Sequence, residues 1–230
     1  MIVFGHQGAP GYAPENTLLS FNEAIRRGTD WIELDVHLVG NELLVIHDYR
    51  LDRTTDGQGI IYKQSIDYIR SLDAGQGEKV PFLHEVFDTV DRRVGINIEL
   101  KSADTAEPVM ELVDHYIQNH GWSINDFMIS SFNHFELKTV RKINPDIKIG
   151  ILLYGVPLDF EQIKHIIKPY SINISIDFIS RSIVDIIHEK ELNVFIFTVN
   201  FEDEIQWMLD LGVDGVFTDY PDRVKAILSK

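Results

Sequence analysis

Short runs of β-branched and aliphatic residues alternate along the chain with longer segments whose apolar positions recur at helical spacing. Eight such pairs follow one another, which is the pattern of parallel βα units. It predicts strands at 2–5, 31–36, 95–100, 127–131, 147–153, 172–176, 193–199 and 215–218. The matching helices fall at 17–27, 83–90, 106–119, 135–143, 160–167, 182–189, 204–211 and 223–228. No Ser/Gly/Pro-rich linker separates the pairs, so the expectation is one domain over residues 1–230 with an α/β, (β/α)8 TIM-barrel fold. An open doubly wound sheet is the rival arrangement. Its dinucleotide-binding form is disfavoured, because no G-x-G-x-x-G opens the first helix.

One segment breaks the alternation. After the second strand, residues 37–47 run apolar, turn at Gly40-Asn41 and return to His47. A connection this short joins only antiparallel strands, so the segment is predicted to be a hairpin added to the barrel. Pairing Val39 with Glu42 puts Ile46 opposite Asp35 and brings His47 back to the level of the preceding strand's carboxylates. Residues of about 48–80, with Gly57, Gly59, Gly75 and Gly77, read as a small irregular insertion expected to cap the barrel mouth.

Function in a parallel barrel collects at the C-terminal strand ends. His6 ends the first predicted strand, Glu33 and Asp35 lie on the second, Glu99 and Lys101 end the third, and the hairpin adds His47. Residues i and i+2 share a face of a strand, so each of these pairs points one way. Three carboxylates converging in a barrel interior need a counter-charge. One divalent cation of the hard, oxygen-preferring kind, Mg²⁺ or Ca²⁺, meets that need. The competing reading is a salt-bridge network with Lys101 and Arg26-Arg27. One lysine does not balance three acids, and the arginines sit on a helix aimed elsewhere. His6 and His47 flanking the cation suit an acid/base pair, and phosphoryl chemistry fits the set. Residues 14–17 read as a loop entering a helix N-cap, from which Glu15 or Asn16 reaches the site. The remaining histidines, 37, 84, 115, 120, 134, 165 and 188, are expected to be surface or internally satisfied residues.

Charge narrows the partners. With 21 Lys+Arg against 36 Asp+Glu, the 230-residue chain carries a formal −15, which disfavours nucleic acid and stable association with acidic membranes. Zero Cys removes disulfides, thiolate metal sites and cysteine nucleophiles. The start reads Met1-Ile2-Val3-Phe4 with no basic, apolar leader pattern, and no apolar run approaches the ~20 residues of a membrane span. The expectation is a cytoplasmic protein; a homo-oligomer stays open.

Nine segments, in order, resemble the glycerophosphodiester phosphodiesterase family. They are Phe4-Gly5-His6-Gln7-Gly8-Ala9, Pro14-Glu15-Asn16-Thr17, Ile32-Glu33-Leu34-Asp35-Val36, Val45-Ile46-His47-Asp48, residues 51–57, Ile98-Glu99-Leu100-Lys101, Ile129-Ser130-Ser131-Phe132, Phe197-Thr198-Val199-Asn200, and residues 212–221. The resemblance implies a TIM barrel and metal-dependent hydrolysis of glycerophosphodiesters to glycerol 3-phosphate and an alcohol. It implies Glu33, Asp35 and Glu99 as metal ligands, His6 and His47 as the acid/base pair, Lys101 and Gln7 at the phosphate, and Glu15, Asn16, Phe132, Phe197 and Asn200 as lining. Gln7 departs from the family's usual Arg and offers a neutral donor in place of a charged fork. Phe197 stands where relatives often have Trp. Two alternatives accompany this reading: a non-catalytic metal- and phosphate-binding protein on the same scaffold, supported by Gln7, and a related lysophospholipase D.

Overall fold

The computed structural model describes residues 1–229. Among the described residues, nine strands and nine α-helices follow in chain order: β1 (Ile2–Gly5), α1 (Leu18–Arg26), β2 (Trp31–Val39), β3 (Glu42–Val45), α2 (Ile66–Ser71), α3 (Leu83–Val90), β4 (Gly95–Leu100), α4 (Ala106–Asn119), β5 (Phe127–Ser131), α5 (His134–Ile143), β6 (Lys148–Leu153), α6 (Glu161–Ile167), β7 (Ser171–Ser175), α7 (Arg181–His188), β8 (Asn193–Phe197), α8 (Glu202–Leu211), β9 (Gly215–Thr218) and α9 (Pro221–Leu228). Eight strands run parallel and close a ring in the order β1-β2-β4-β5-β6-β7-β8-β9, with β9 pairing back onto β1. This is the (β/α)8 barrel, and β3 is the extra strand outside the ring.

Period-2 alternation along each strand sorts side chains into two separate apolar sets. Val3, Ile32, Leu34, Ile96, Ile98, Ile149, Ile172, Val194 and Val216 face outward and pack with helix residues such as Phe21, Val86, Val113, Val140 and Met208. Phe4, Met128, Phe195 and Phe217 form the inner set, with Ile2, Trp31 and Tyr170 against them. This aromatic plug fills the barrel interior below the site. It needs close approach at one strand start, because a Cβ on Gly95 would lie 2.4 Å from the Trp31 indole.

Strand β2 outruns its neighbours. Its first part, Trp31 to Val36, pairs in parallel with β4, and Val36 to Val39 pairs antiparallel with β3. The register is Val39 with Glu42, and the Ile46 N–H donates to the Asp35 carbonyl at 3.0 Å, so the hairpin returns as the sequence predicts. The ladder ends at Val45, leaving His47 two residues past it.

The insertion holds structure that its glycines concealed. It contains α2, and Leu51, Ile61, Ile69, Leu72 and Val80 form a small core of their own with Val39, Leu44 and Ile46 of the hairpin. It reaches the first turn of α1 and the loop before it: Glu78 accepts from the Leu19 N–H at 3.2 Å, and Arg53 pairs with Glu15 at 2.6 Å. Among the described residues no helix is long and apolar enough to cross a membrane.

Candidate active site

The β2–β4 register puts Asp35 opposite Glu99 at the C-terminal ends of the inward-facing rows, with Glu33 opposite Asn97 one step below them. Glu33, Asp35 and Glu99 each offer an oxygen within 4.8 Å of the others, and all three are buried. Lys101 follows two residues after Glu99 on the same face. Its Nζ donates to Glu99 Oε1 at 2.8 Å and lies 3.4 Å from Asp35 Oδ1.

The loop after β1 closes the cluster from the side. The Gln7 N–H donates to Glu33 Oε2 at 2.9 Å, and Gln7 Nε2 and Asn16 Nδ2 both donate to Asp35 Oδ2 at 2.9 Å. Asn16 Oδ1 accepts in turn from the Asp35 N–H at 3.2 Å. The loop folds this way because Gly8, at φ +90, lies so close to Ser20 that a Cβ there would sit 2.4 Å from its Oγ.

These contacts leave one oxygen of Asp35 spare. Asp35 Oδ1 is buried with no hydrogen bond; Lys101 is near it in charge but not aligned as a donor. A spare carboxylate oxygen facing two more carboxylates, with one ammonium among them, is a donor set that fits a hard divalent cation. The titration of the acids follows. Burial, then repulsion from Asp35, pushes the Glu33 carboxyl up to about 8. Burial and Asp35 raise Glu99 as well. Burial also opposes the Asp35 charge, but Lys101, His47, the Asn16 hydrogen bond and His6 outweigh it and hold Asp35 below the usual range. Burial opposes the Lys101 ammonium, yet Asp35 and Glu99 keep its affinity for the proton above normal.

Each of the two histidines is tethered through Nδ1 to a carboxylate. Nδ1 of His6 lies 2.8 Å from Asp219, and Nδ1 of His47 lies 2.6 Å from Asp48. An ionised carboxylate only accepts, so Nδ1 carries the proton and Nε2 is the free ring nitrogen in both. Burial disfavours the His6 imidazolium, but the Asp219 hydrogen bond and the charges of Glu33, Asp219 and Asp35 prevail and raise it to about 9. Asp219 is held in turn by Asn200 Nδ2 at 2.6 Å. Asp48 is shared with Arg53, whose Nε donates at 2.8 Å and whose hydrogen bond is the largest cause of that carboxyl's depressed affinity for protons. His37, expected to be satisfied internally, donates from Nε2 to the His47 carbonyl at 3.1 Å and accepts at Nδ1 from the Tyr62 hydroxyl at 2.6 Å. It braces the end of the hairpin.

Opposite the acids, the pocket that holds His6, Glu33 and Glu99 is walled by Phe132, Leu152, Phe197 and Phe217. Tyr154 stands over this wall, 76% exposed, with its ring centroid 6.0 Å from Phe132 and 6.5 Å from Phe197.

Of the residues singled out in the sequence, His6, Gln7, Asn16, Glu33, Asp35, Glu99 and Lys101 meet in one cluster. His47 approaches it from the hairpin, close enough for its charge to act on Asp35 and Glu99. Phe132 and Phe197 line the pocket. Glu15 and Asn200 do not reach the acids; Glu15 holds Arg53 and Asn200 holds Asp219. Sequence reasoning assigned no role to Asp219, Asp48, Arg53 or Tyr154. Ring closure carried a signal for Asp219, since the last strand of a closed barrel ends beside the first, and Asp48 adjoins His47.

Residues 6–223 match the model of the glycerophosphoryl diester phosphodiesterase family. The chain is 35% identical to a glycerophosphodiester phosphodiesterase of Bacillus altitudinis, covering 98% of this chain and 97% of that one. It is 33% identical to a glycerophosphodiester phosphodiesterase of Caldanaerobacter subterraneus subsp. tengcongensis, covering 100% and 98%. Its fold superposes with a TM-score of 0.92 on an Oleispira antarctica phosphodiesterase in complex with the product sn-glycerol-3-phosphate, at 31% identity over 100% of this chain and 97% of that one. With a closed barrel, a carboxylate cluster at its C-terminal mouth and relatives matched end to end, the chain belongs to the glycerophosphoryl diester phosphodiesterase family.

Proposed function

We propose that this protein hydrolyses glycerophosphodiesters to glycerol 3-phosphate and an alcohol, with Glu33, Asp35 and Glu99 holding one Mg²⁺ or Ca²⁺ ion. The single observation that carries the reading is the buried carboxylate triad with its spare Asp35 oxygen, set between two histidines whose Nε2 atoms are free. A divalent cation bound there supplies Lewis-acid neutralisation of the phosphate's non-bridging oxygens. Lys101 places a second positive charge at the same edge of the pocket. One imidazole takes the proton of the attacking hydroxyl as the new P–O bond forms. The other gives a proton to the departing alcohol oxygen as the old P–O bond breaks. His6, which Asp219 favours as imidazolium, suits the donor; His47, on the hairpin across the acids, suits the acceptor. The attacking oxygen is water or the glycerol 2-hydroxyl, and the latter passes through a cyclic phosphate visible by phosphorus-31 NMR.

The test is release of glycerol 3-phosphate from a panel of glycerophosphodiesters with and without a chelator. Turnover should require a divalent ion and should be lost in Glu33→Ala and in His47→Ala. Full turnover in either variant, or in chelator, refutes the assignment. A second reading, action on lysophospholipids, is favoured by the exposed aromatic surface over the pocket wall, where Tyr154 is 76% exposed beside Phe132 and Phe197. Faster hydrolysis of micellar lysophospholipid than of soluble diester would select it.

A further inference from the structure

The side chain expected to meet phosphate is turned the other way. Gln7 is 6% exposed, and its backbone is fastened on both sides of the peptide plane. Its N–H donates to Glu33, and its carbonyl accepts from Asn16 N at 3.0 Å and from Ser20 Oγ at 3.0 Å. These contacts hold it at φ +50, a left-handed conformation uncommon for a glutamine. From that fixed backbone the side chain runs to Asp35, and because a carboxylate only accepts, the amide group facing Oδ2 is the NH₂. Asn16 reaches the same oxygen at the same 2.9 Å. Two donors on Oδ2 fix the carboxylate's rotation and leave the buried Oδ1 facing Glu33, Glu99 and Lys101.

We infer that Gln7 is a positioning residue for the cation site: with Asn16 it clamps Asp35 Oδ2 so that Oδ1 is presented to the ion, and it makes no contact with the phosphodiester. The inference rests on the proposed cation-dependent function. Its chemical logic is that of any buried metal ligand, whose unliganded atom needs a donor to set the orientation and basicity of the other. A neutral amide does this without adding a positive charge beside the ion, which an arginine at the same place would do. The consequence for the reaction is a division of labour. Phosphate charge falls to the ion and Lys101, while Gln7 governs how tightly the ion is held.

Two variants separate this role from a substrate contact. Gln7→Met keeps the length of the side chain and removes the donor. Gln7→Asn keeps an amide, withdraws it from Asp35 by one methylene, and suits the left-handed backbone better than Gln does, so it should fold at least as well. Calorimetric titration with Mg²⁺, and separately with Ca²⁺, is expected to show binding weakened by about 10- to 100-fold in both variants. At saturating metal, KM for glycerophosphocholine and the affinity for glycerol 3-phosphate should stay within about threefold of the parent. Unchanged metal affinity overturns the inference, whether or not KM rises, and a KM rise alone assigns Gln7 to the phosphate. If the parent protein binds neither ion, the proposed function itself fails. Binding by the parent together with equal binding by the variants fails only the role given to Gln7.

Discussion

The two halves of the barrel mouth are built from different material. The arc formed by β1, β2, β4 and the hairpin carries His6, Gln7, Glu33, Asp35, Glu99, Lys101 and His47, and each of these side chains is held in place by a hydrogen bond from one side. The arc formed by β5, β6, β8 and β9 presents Phe132, Leu152, Phe197 and Phe217, with Tyr154 above them. Rings in contact hold shape without fixing direction, whereas a hydrogen-bonded carboxylate has one orientation. Under the proposed function, the phosphate falls to the polar arc, where charge would develop in the transition state, and the alcohol to the apolar arc. Substitutions in the first should therefore act on rate, and those in the second on choice of substrate.

The largest effect that would sharpen this contrast is expected from Lys101→Met. It removes the one ammonium among three acids, and steady-state kinetics should show kcat lower by about 10²–10³-fold. A change confined to KM would move Lys101 out of the chemical step. Asp219→Asn comes next. His6 loses the partner that most favours its charged form, so its proton is released at lower pH. The alkaline limb of the kcat profile should move down by about one pH unit, and an unmoved limb would take His6 out of the acid role.

The polar arc was largely legible in the sequence, and the reason is geometric. Strand periodicity alone puts Glu33 with Asp35 and Glu99 with Lys101 on one face, and the Gly40-Asn41 turn sets the register that returns His47. The apolar arc was less legible, because a phenylalanine at a strand end reads the same whether it lines a pocket or packs a core. Phe132 and Phe197 entered through resemblance, and Tyr154 did not enter at all. Long-range partners were also hidden: Asp219 is 213 residues from His6, and only ring closure brings them together. The α2 helix escaped because six residues among glycines carry too little period to register.

On the apolar arc, Phe132→Ala should leave kcat within about tenfold and alter the ratio of kcat/KM between two alcohols by about 1–3 kcal/mol. A uniform loss across substrates would erase the distinction between the arcs. The smallest effect is on stability without cation. Glu33, raised from its ordinary 4.5 to about 8, holds in the folded protein a proton that the unfolded chain releases. Its contribution is complete below about pH 4.5 and is lost as pH rises through 8. His6, raised from 6.5 to about 9, acts in the same direction, complete below 6.5 and lost through 9. The cation-free protein should therefore melt at progressively lower temperature from about pH 5 to 9, and saturating Mg²⁺ should flatten that slope. A flat profile without cation would mean that burial and the neighbouring acids do not hold the Glu33 proton in the folded protein.

The central claim is that the three carboxylates hold one cation, and anomalous diffraction from crystals soaked in Mn²⁺ tests it most directly, since that ion shares the oxygen preference of Mg²⁺. The account predicts a single strong peak about 2.0–2.6 Å from oxygens of Glu33, Asp35 and Glu99, with Asp35 Oδ1 among them. No peak there, with Lys101 still bonded to Glu99 and the acids otherwise unbridged, would contradict it.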